Sequence, residues 1–223
     1  SISTLPAGTK IIVRVTSAAT VNYNSAYKDY TLTITAVGSA SFDITLDNDT
    51  FEYDGTEKEP RVTIKVDGKT LVEGTDYDVS YKDNINSGTA TVTITGKGNY
   101  DGSIGTKEFT ITKKKLTIKA WSVDKVYDGN ALTSDKYEIT SGSVASGQTL
   151  TVTTSGSITN VGTTSNKIDT YKITVTSTSE DVTKNYDVTT LDGTLKVTPA
   201  TITGSVTITG TNTFGQTLTA SVT

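Results

Sequence analysis

The chain has 223 residues and 23.5 kDa, with 20 basic against 24 acidic residues, a formal charge of −4, and no Cys, His or Met. Without those side chains, thiolate catalysis, a Ser-His pair and a His- or Cys-ligated zinc site are excluded. The net negative charge and the presence of only two arginines, Arg14 and Arg61, disfavour a nucleic-acid surface, which needs a basic stripe and guanidinium forks.

Thr makes up roughly a fifth of the residues, and β-branched and aromatic side chains alternate with Thr, Ser, Lys and Asp along most of the chain. That pattern predicts an all-β protein. Residues 1–38 contain predicted strands at 11–15 and 31–35 with the pair Asn22-Tyr23 between them. Leu32, nine positions after the Tyr, opens the second alternating run. The segment reads as the C-terminal part of a β module.

Residues 39–114 read as a complete module, with strands predicted at 42–46, 62–66, 89–95 and 108–112. Tyr53-Asp54-Gly55 stands early in it and Asn99-Tyr100 late, and Phe109 follows nine residues after Tyr100. In 62–66 the Val and Ile side chains point one way and Thr and Lys the other, so one face packs and one is wet. Asp67-Gly68 then reads as a hairpin turn leading into 70–72, because Asp bonds its own backbone and Gly accepts positive φ.

Residues 115–199 repeat this order, with strands predicted at 116–120, 150–153, 171–175 and 194–197. Tyr127-Asp128-Gly129 lies 74 residues after the first Tyr-Asp-Gly, and Asn185-Tyr186 lies 86 after Asn99-Tyr100, with Leu195 again nine beyond the Tyr. Two markers keeping their order at module-length spacing predict tandem units of about 75–85 residues, each near the lower size at which a core folds alone. Residues 200–223, with a strand predicted at 205–208 and the run Gly215-Gln216-Thr217-Leu218-Thr219-Ala220, read as the start of a different β module. Many short strands with Asp-Gly turns indicate a sandwich or a small barrel, and the spacing favours two sheets sharing a Greek-key core, repeated in an elongated array. The joins carry no glycine or proline tracts, which predicts a semi-rigid rod, and Lys113-Lys114-Lys115 at one join reads as a solvated face rather than a polyanion contact. Partial sheets at the two ends expose unpaired backbone and predict strand exchange or dimer contacts.

The stretches Tyr53-Asp54-Gly55-Thr56-Glu57-Lys58-Glu59-Pro60, Leu71-Val72-Glu73-Gly74-Thr75-Asp76-Tyr77-Asp78-Val79-Ser80-Tyr81, Asn84, Gly88-Thr89-Ala90 and Gly96-Lys97-Gly98-Asn99-Tyr100-Asp101-Gly102 together resemble a repeat common in large bacterial cell-surface proteins. The likeness covers nearly all of 39–114. Residues 115–199 keep Val126-Tyr127-Asp128-Gly129 and Asn185-Tyr186, lack the Gly-Thr-Asp-Tyr element, and are similar to the related Tyr-Asp-Gly repeats of adhesins and filamentous surface proteins. Residues 200–223 are similar to the opening of a further bacterial immunoglobulin-like domain. The resemblance as a whole implies tandem immunoglobulin-like β-sandwich modules in an elongated array, with an extracellular place on the bacterial cell surface or cell wall, in a stalk or adhesive array that presents other domains. Its implied partners are neighbouring modules of the same polypeptide, glycans or host surface proteins, and it brings no catalytic residues.

Individual residues carry competing readings. Tyr53 and Tyr127, before Asp-Gly turns, are expected to cover the end of a core, with ligand stacking as the alternative, and Tyr100 and Tyr186 to act as analogues of a tyrosine corner. Trp121 is the side chain best suited to stack on a sugar, weighed against an inter-module or core contact. The acidic residues Asp47, Asp49, Asp76, Asp78 and Asp83 are candidate calcium ligands, against the plainer reading of solvated turns, since calcium needs six to eight converging oxygens. Lys125, Asn185 and Glu138 form a candidate trio for an internal amide crosslink with Glu138 as proton shuttle, which would replace the missing disulfides. Asp43, Glu52 and Asp54 are the carboxylates nominated for glycoside hydrolysis, against which stands the convex surface of a narrow sandwich.

The residues point to a non-catalytic structural stalk or spacer that needs no cofactor other than the candidate calcium, with no membrane span in this segment and no nucleic-acid partner. No stretch approaches the roughly 18 apolar residues of a spanning helix, and the N-terminal residues lack the features of a signal peptide. A glycan-binding or host-adhesion module is the first alternative, and strand-exchange polymerisation the second.

Overall fold

In the computed structural model residues 5, 8–35, 40–217 and 219–222 are described. The junction at 38/39 and Leu218 of the C-terminal run lie outside them. The described residues are all-β: eighteen strands, with helix confined to two 3-10 turns at Gly98–Tyr100 and Thr183–Asn185. No helix among them is long and apolar enough to cross a membrane. The chain divides into two units. Unit 1 takes the described part of Ser1–Lys114 together with Ala145–Gly147 and Asp181–Asp187, and unit 2 takes the described part of Lys115–Val144, Gln148–Glu180 and Val188–Thr223.

The first sheet is a hairpin of β1 (Lys10–Ser17) and β2 (Ala26–Thr33), with Lys10 opposite Thr33 and Ser17 opposite Ala26. Directly opposed residues share a face, so Ile11, Val13, Val15, Tyr30 and Leu32 line one side, and all but Ile11 are exposed. On the other face the Arg14 guanidinium makes a bidentate pair with Asp29, at 2.7 and 2.8 Å, and lies 4.2 Å from the centre of the Tyr27 ring.

The rest of unit 1 follows the period-two pattern. Its strands are β3 (Asp43–Leu46), β4 (Thr50–Glu52), β5 (Val62–Val66), β6 (Lys69–Thr70), β7 (Tyr77–Lys82), β8 (Gly88–Gly96) and β9 (Ile104–Thr112). They form two sheets, ordered β3-β5-β6 and β4-β9-β8-β7. Val62 and Ile64 of β5 are buried, as are Ala90, Val92 and Ile94 of β8 and Phe109 and Ile111 of β9. Each large side chain removed from water contributes about 1.5–3 kcal/mol. At the β5–β6 turn Asp67 and Gly68 have φ of 49° and 79°, the two positive values whose twist suits adjoining strands. The hairpin's second strand stops at Thr70, short of the predicted 70–72. Leu71 still bonds back to Ile64, but the Asp76 carboxylate takes the Val72 amide at 2.9 Å and turns the chain away.

Unit 2 is built from β10 (Lys114–Ala120), β11 (Val123–Val126), β12 (Tyr137–Gly142), β13 (Gln148–Ser155), β14 (Gly162–Val175), β15 (Tyr186–Leu191) and β16 (Gly193–Thr198), with Lys114 of β10 and Tyr186 and Asp187 of β15 falling in unit 1, followed by the separate pair β17 (Val206–Thr209) and β18 (Thr219–Val222). Its sheets are ordered β12-β10-β15 and β11-β16-β14-β13. Leu132, Leu195 and Val197 pack together with Val123 and Ile158 against them, and Leu116, Ile118, Ala120 and Ile173 are also buried.

One hydrogen-bond frame underlies both units. In unit 1 the Tyr53 amide donates to the Thr112 carbonyl at 2.9 Å, the Lys58 amide donates to the Asn84 carbonyl at 2.8 Å, and Gly88 lies opposite Ile111. In unit 2 the Tyr127 amide donates to Thr198 at 2.8 Å, the Leu132 amide to Ile158 at 2.8 Å, and Gly162 lies opposite Val197. Residues up to the glycine shift by 74 between the units and those in the last strand by 86. The extra length therefore falls between Gly162 and Asn185, where β14 runs 14 residues against 9 for β8. Both units also contain a parallel pairing, β4 with β9, where Glu52 lies opposite Thr112, and β11 with β16, where Val126 lies opposite Thr198.

Candidate functional site

The Tyr-Asp-Gly corners are held by their aspartates. Asp54 accepts the Thr56 amide at 2.9 Å and the Thr56 hydroxyl at 2.6 Å, and it pairs with Lys58, whose ammonium also reaches Thr56 Oγ1 at 2.9 Å. Burial pushes the Asp54 carboxyl up, but the bonds from Lys58 and Thr56 outweigh it and hold the group at about 2. Asp128 repeats the turn by accepting the Asn130 amide at 2.9 Å, and its lysine arrives from the other side of the sequence: Lys125 Nζ lies 2.6 Å from Asp128 and 2.7 Å from the Asn130 carbonyl. The bond from Lys125 keeps Asp128 below the ordinary carboxylate value. These arrangements lock a turn, and each aspartate's charge is matched by a lysine.

The tyrosines of the two corners differ. Tyr53 is 1% exposed and its ring meets that of Tyr186 edge to face at 5.5 Å. Tyr127, expected to cover a core end in the same way, is 42% exposed. The neighbour of Tyr186, Asn185, is fully buried: its Oδ1 accepts the Ser87 amide at 3.0 Å and the Ser87 hydroxyl at 3.1 Å, and its Nδ2 donates to Asn86 Oδ1 at 2.7 Å. The Tyr186 hydroxyl accepts the Ala145 amide at 2.8 Å, and burial raises its pKa. Asn185 and Tyr186 thus form a plug inside unit 1, although they stand 98 residues or more beyond Ser87 and Asn86 in the chain.

Trp121 borders a groove. The chain leaves β10 at Ala120 and enters β11 at Val123, and three bonds fix the crossing. The Trp121 amide donates to the Lys136 carbonyl at 3.0 Å, the buried Asn166 donates from Nδ2 to the Trp121 carbonyl at 3.0 Å, and Ser122 Oγ accepts the Thr194 amide at 3.0 Å. Gly193 is required beside it, since a Cβ there would collide with the carbonyl oxygens of Ala120 and Trp121. The indole is 41% exposed, with Lys136 Nζ 5.2 Å from its centre. It opens on a groove of about 410 Å³ whose polar lining includes Asp124, Thr133, Asp135 and Lys136. A second depression of about 350 Å³ shares Asp124 and adds Thr194 and Lys196. An anchored, exposed indole ringed by carboxylates and hydroxyls can stack on the apolar face of a ring and hydrogen-bond its substituents.

The other sequence candidates are engaged locally. Asp47 accepts the Arg61 amide at 2.9 Å, Asp49 the Thr50 hydroxyl at 3.1 Å and Asp76 the Val72 amide, while Asp78 pairs with Lys97 at 3.1 Å and Asp83 lies 4.0 Å from Lys82. No group of three or more acidic side chains converges as a metal site among the described residues. The crosslink trio is not assembled: Lys125 is bound to Asp128 and Asn130, Asn185 to Asn86 and Ser87, and Glu138 is exposed on β12 opposite Lys119. Of the nominated hydrolytic carboxylates, Glu52 pairs with Lys114 at 3.0 Å, Asp54 with Lys58, and Asp43 lies on β3.

Lys58, Asn86, Ser87 and Asn166 escaped the sequence reading. A lysine in a charged turn reads as solvated, yet Lys58 is only 8% exposed. One signal was available: Gly88-Thr89 and Gly162-Thr163 open the equivalent strands β8 and β14 and would have aligned Asn86 with Asn160. No protein-family model matches the sequence, and no curated protein is significantly similar to it.

Proposed function

We infer that this chain is a non-catalytic structural segment of a bacterial extracellular surface protein, a tandem array of immunoglobulin-like β-sandwich modules that spaces other domains from the cell wall. The observation that carries the reading is the hydrogen-bond frame built twice, at offsets of 74 and 86 residues, each time closed by a Tyr-Asp-Gly turn with a lysine on its aspartate. Repeating a small β unit is how a chain gains length without a larger core. The parallel pairs β4–β9 and β11–β16 also suit a load-bearing role, because force entering at the start of the earlier strand and leaving at the end of the later one shears such a pair rather than unzipping it. The matching of each corner aspartate with a lysine supports structure over catalysis, since neither carboxylate is left poised to transfer a proton. Single-molecule pulling on the intact chain tests this: the expected record has two separate unfolding events, each releasing roughly 75–85 residues. One event releasing the entire chain, or extension without a force peak, would overturn it.

The Trp121 groove favours a second reading, a glycan-binding module. Its test is a glycan array with the intact chain and with Trp121→Ala. Binding abolished by the substitution supports that reading, and an array silent for both proteins removes it.

A further inference from the structure

In unit 1 the corner Asn185-Tyr186 takes the Ala145 amide on its hydroxyl and rests on Tyr53, Asn86 and Ser87. The 74-residue correspondence carries them to Tyr127, Asn160 and Val161 in unit 2. The frame around that second set is the same, with Tyr127 bonded to Thr198 and Gly162 opposite Val197, so the three are brought to one place on the rim of the sheet. Tyr53 is buried beneath its corner, whereas Tyr127, Asn160 and Val161 are all exposed. A surface that seats an Asn-Tyr corner in one unit therefore stands uncovered in the other.

The matching corner exists in the same chain. The Tyr23 amide bonds to the carbonyl three residues back, Thr20, at 3.3 Å, as Tyr100 does to Lys97 at 3.0 Å and Tyr186 to Thr183. Asn22 is exposed and Tyr23 is 78% exposed. We propose that the Asn22-Tyr23 corner of one copy docks on Tyr127, Asn160 and Val161 of a second copy. Tyr23 stacks edge to face on Tyr127, and the Asn22 amide spans the Asn160 side chain and the Val161 N–H, as Asn185 spans Asn86 and Ser87. Val161 lacks the serine hydroxyl, so the docked pair makes one hydrogen bond fewer than Asn185 does and is weaker. Plug and seat are different patches, so the contact is head to tail and adds copies in series.

Sedimentation of the intact chain over a wide concentration range tests the proposal. Reversible association is expected, weakened at least about tenfold by Tyr23→Ala or by Tyr127→Ala, the loss expected for an aromatic anchor, and retained by Tyr127→Phe. Mixing the two alanine variants should restore a single heterodimer, because each supplies the half the other lacks. A chain that stays monomeric at millimolar concentration overturns the proposal. So does association that survives Tyr127→Ala, which would place the contact on the apolar face of β1 and β2, and so does a mixture of the two variants that fails to associate.

Discussion

Lys58 and Leu132 occupy the same position in the two units, each donating its amide across the same bridge and each 8% exposed, yet one is a cation and the other an alkane. In unit 2 the position joins the packed set of Leu195, Val197, Val123 and Ile158, and the aspartate of the turn takes its lysine from Lys125 instead. In unit 1 the side chain at the buried position is itself that lysine. Both turns place a cation on their aspartate, drawn from different sides of the sequence, while the position beneath is simply filled. A long side chain meets both demands by burying its stem and delivering its charge at the tip.

The largest expected effect tests the apolar half. Leu132→Ala should cost about 2–5 kcal/mol, the usual penalty for emptying a packed site, read as a lower denaturation midpoint for unit 2. Lys58→Ala should cost less, about 1–2 kcal/mol, because its Asp54 partner is half exposed and falls back on Thr56 and water. If the two substitutions cost the same, the distinction between the units collapses.

Transplanting unit 2's choice sharpens the comparison. Lys58→Leu should fold within about 1.5 kcal/mol of the parent, as apolar replacements of ion-pair members at filled positions often do, while the Asp54 carboxyl, followed by NMR titration, rises towards its ordinary value of 3.8. An unmoved titration would show that Thr56 alone sets it. A smaller effect follows from pH. Asp54 is lowered on folding, so its contribution is complete above about pH 4 and lost as pH falls towards 2, amounting to about 1 kcal/mol at most once solvent screening of a half-exposed pair is allowed for. Denaturation of Asp54→Asn at pH 4 and pH 2 should show a smaller difference than the parent. Smallest of all, Lys125→Ala should leave the midpoint of unit 2 nearly unchanged, since Asp128 lies in solvent.

Strand positions were legible wherever one face is dry and the other wet. The run 62–66 coincides with β5, and 89–95, 108–112 and 116–120 fall inside β8, β9 and β10. Strands β7, β12 and β15 were not anticipated: in β12 only Tyr137 is even half-buried, and in β7 and β15 the buried side chains are Tyr77 and Tyr186, whose hydroxyls blur the contrast with the neighbouring Asp, Ser and Thr. The parallel pairings of β4 and β11 were illegible for a different reason, because periodicity reports which face is buried and never which strand is adjacent. The same limit hid the partners of Asn185: nothing local marks a buried asparagine whose hydrogen bonds lie 98 and 99 residues upstream. At the groove, Trp121 was visible as a residue type, but its anchoring by Asn166 depends on strand register.

The segment Asp181–Asp187 belongs to unit 1 although it is synthesised long after the rest of that unit. A nascent chain emerging from the ribosome would present Tyr53, Asn86 and Ser87 without the Asn185-Tyr186 corner until residue 187 had passed. Maturation of the first unit is thus timed by the arrival of its downstream sequence, and a stalled or clipped intermediate ending before Asp181 would lack the ring against Tyr53 and the amide that Asn86 and Ser87 bind.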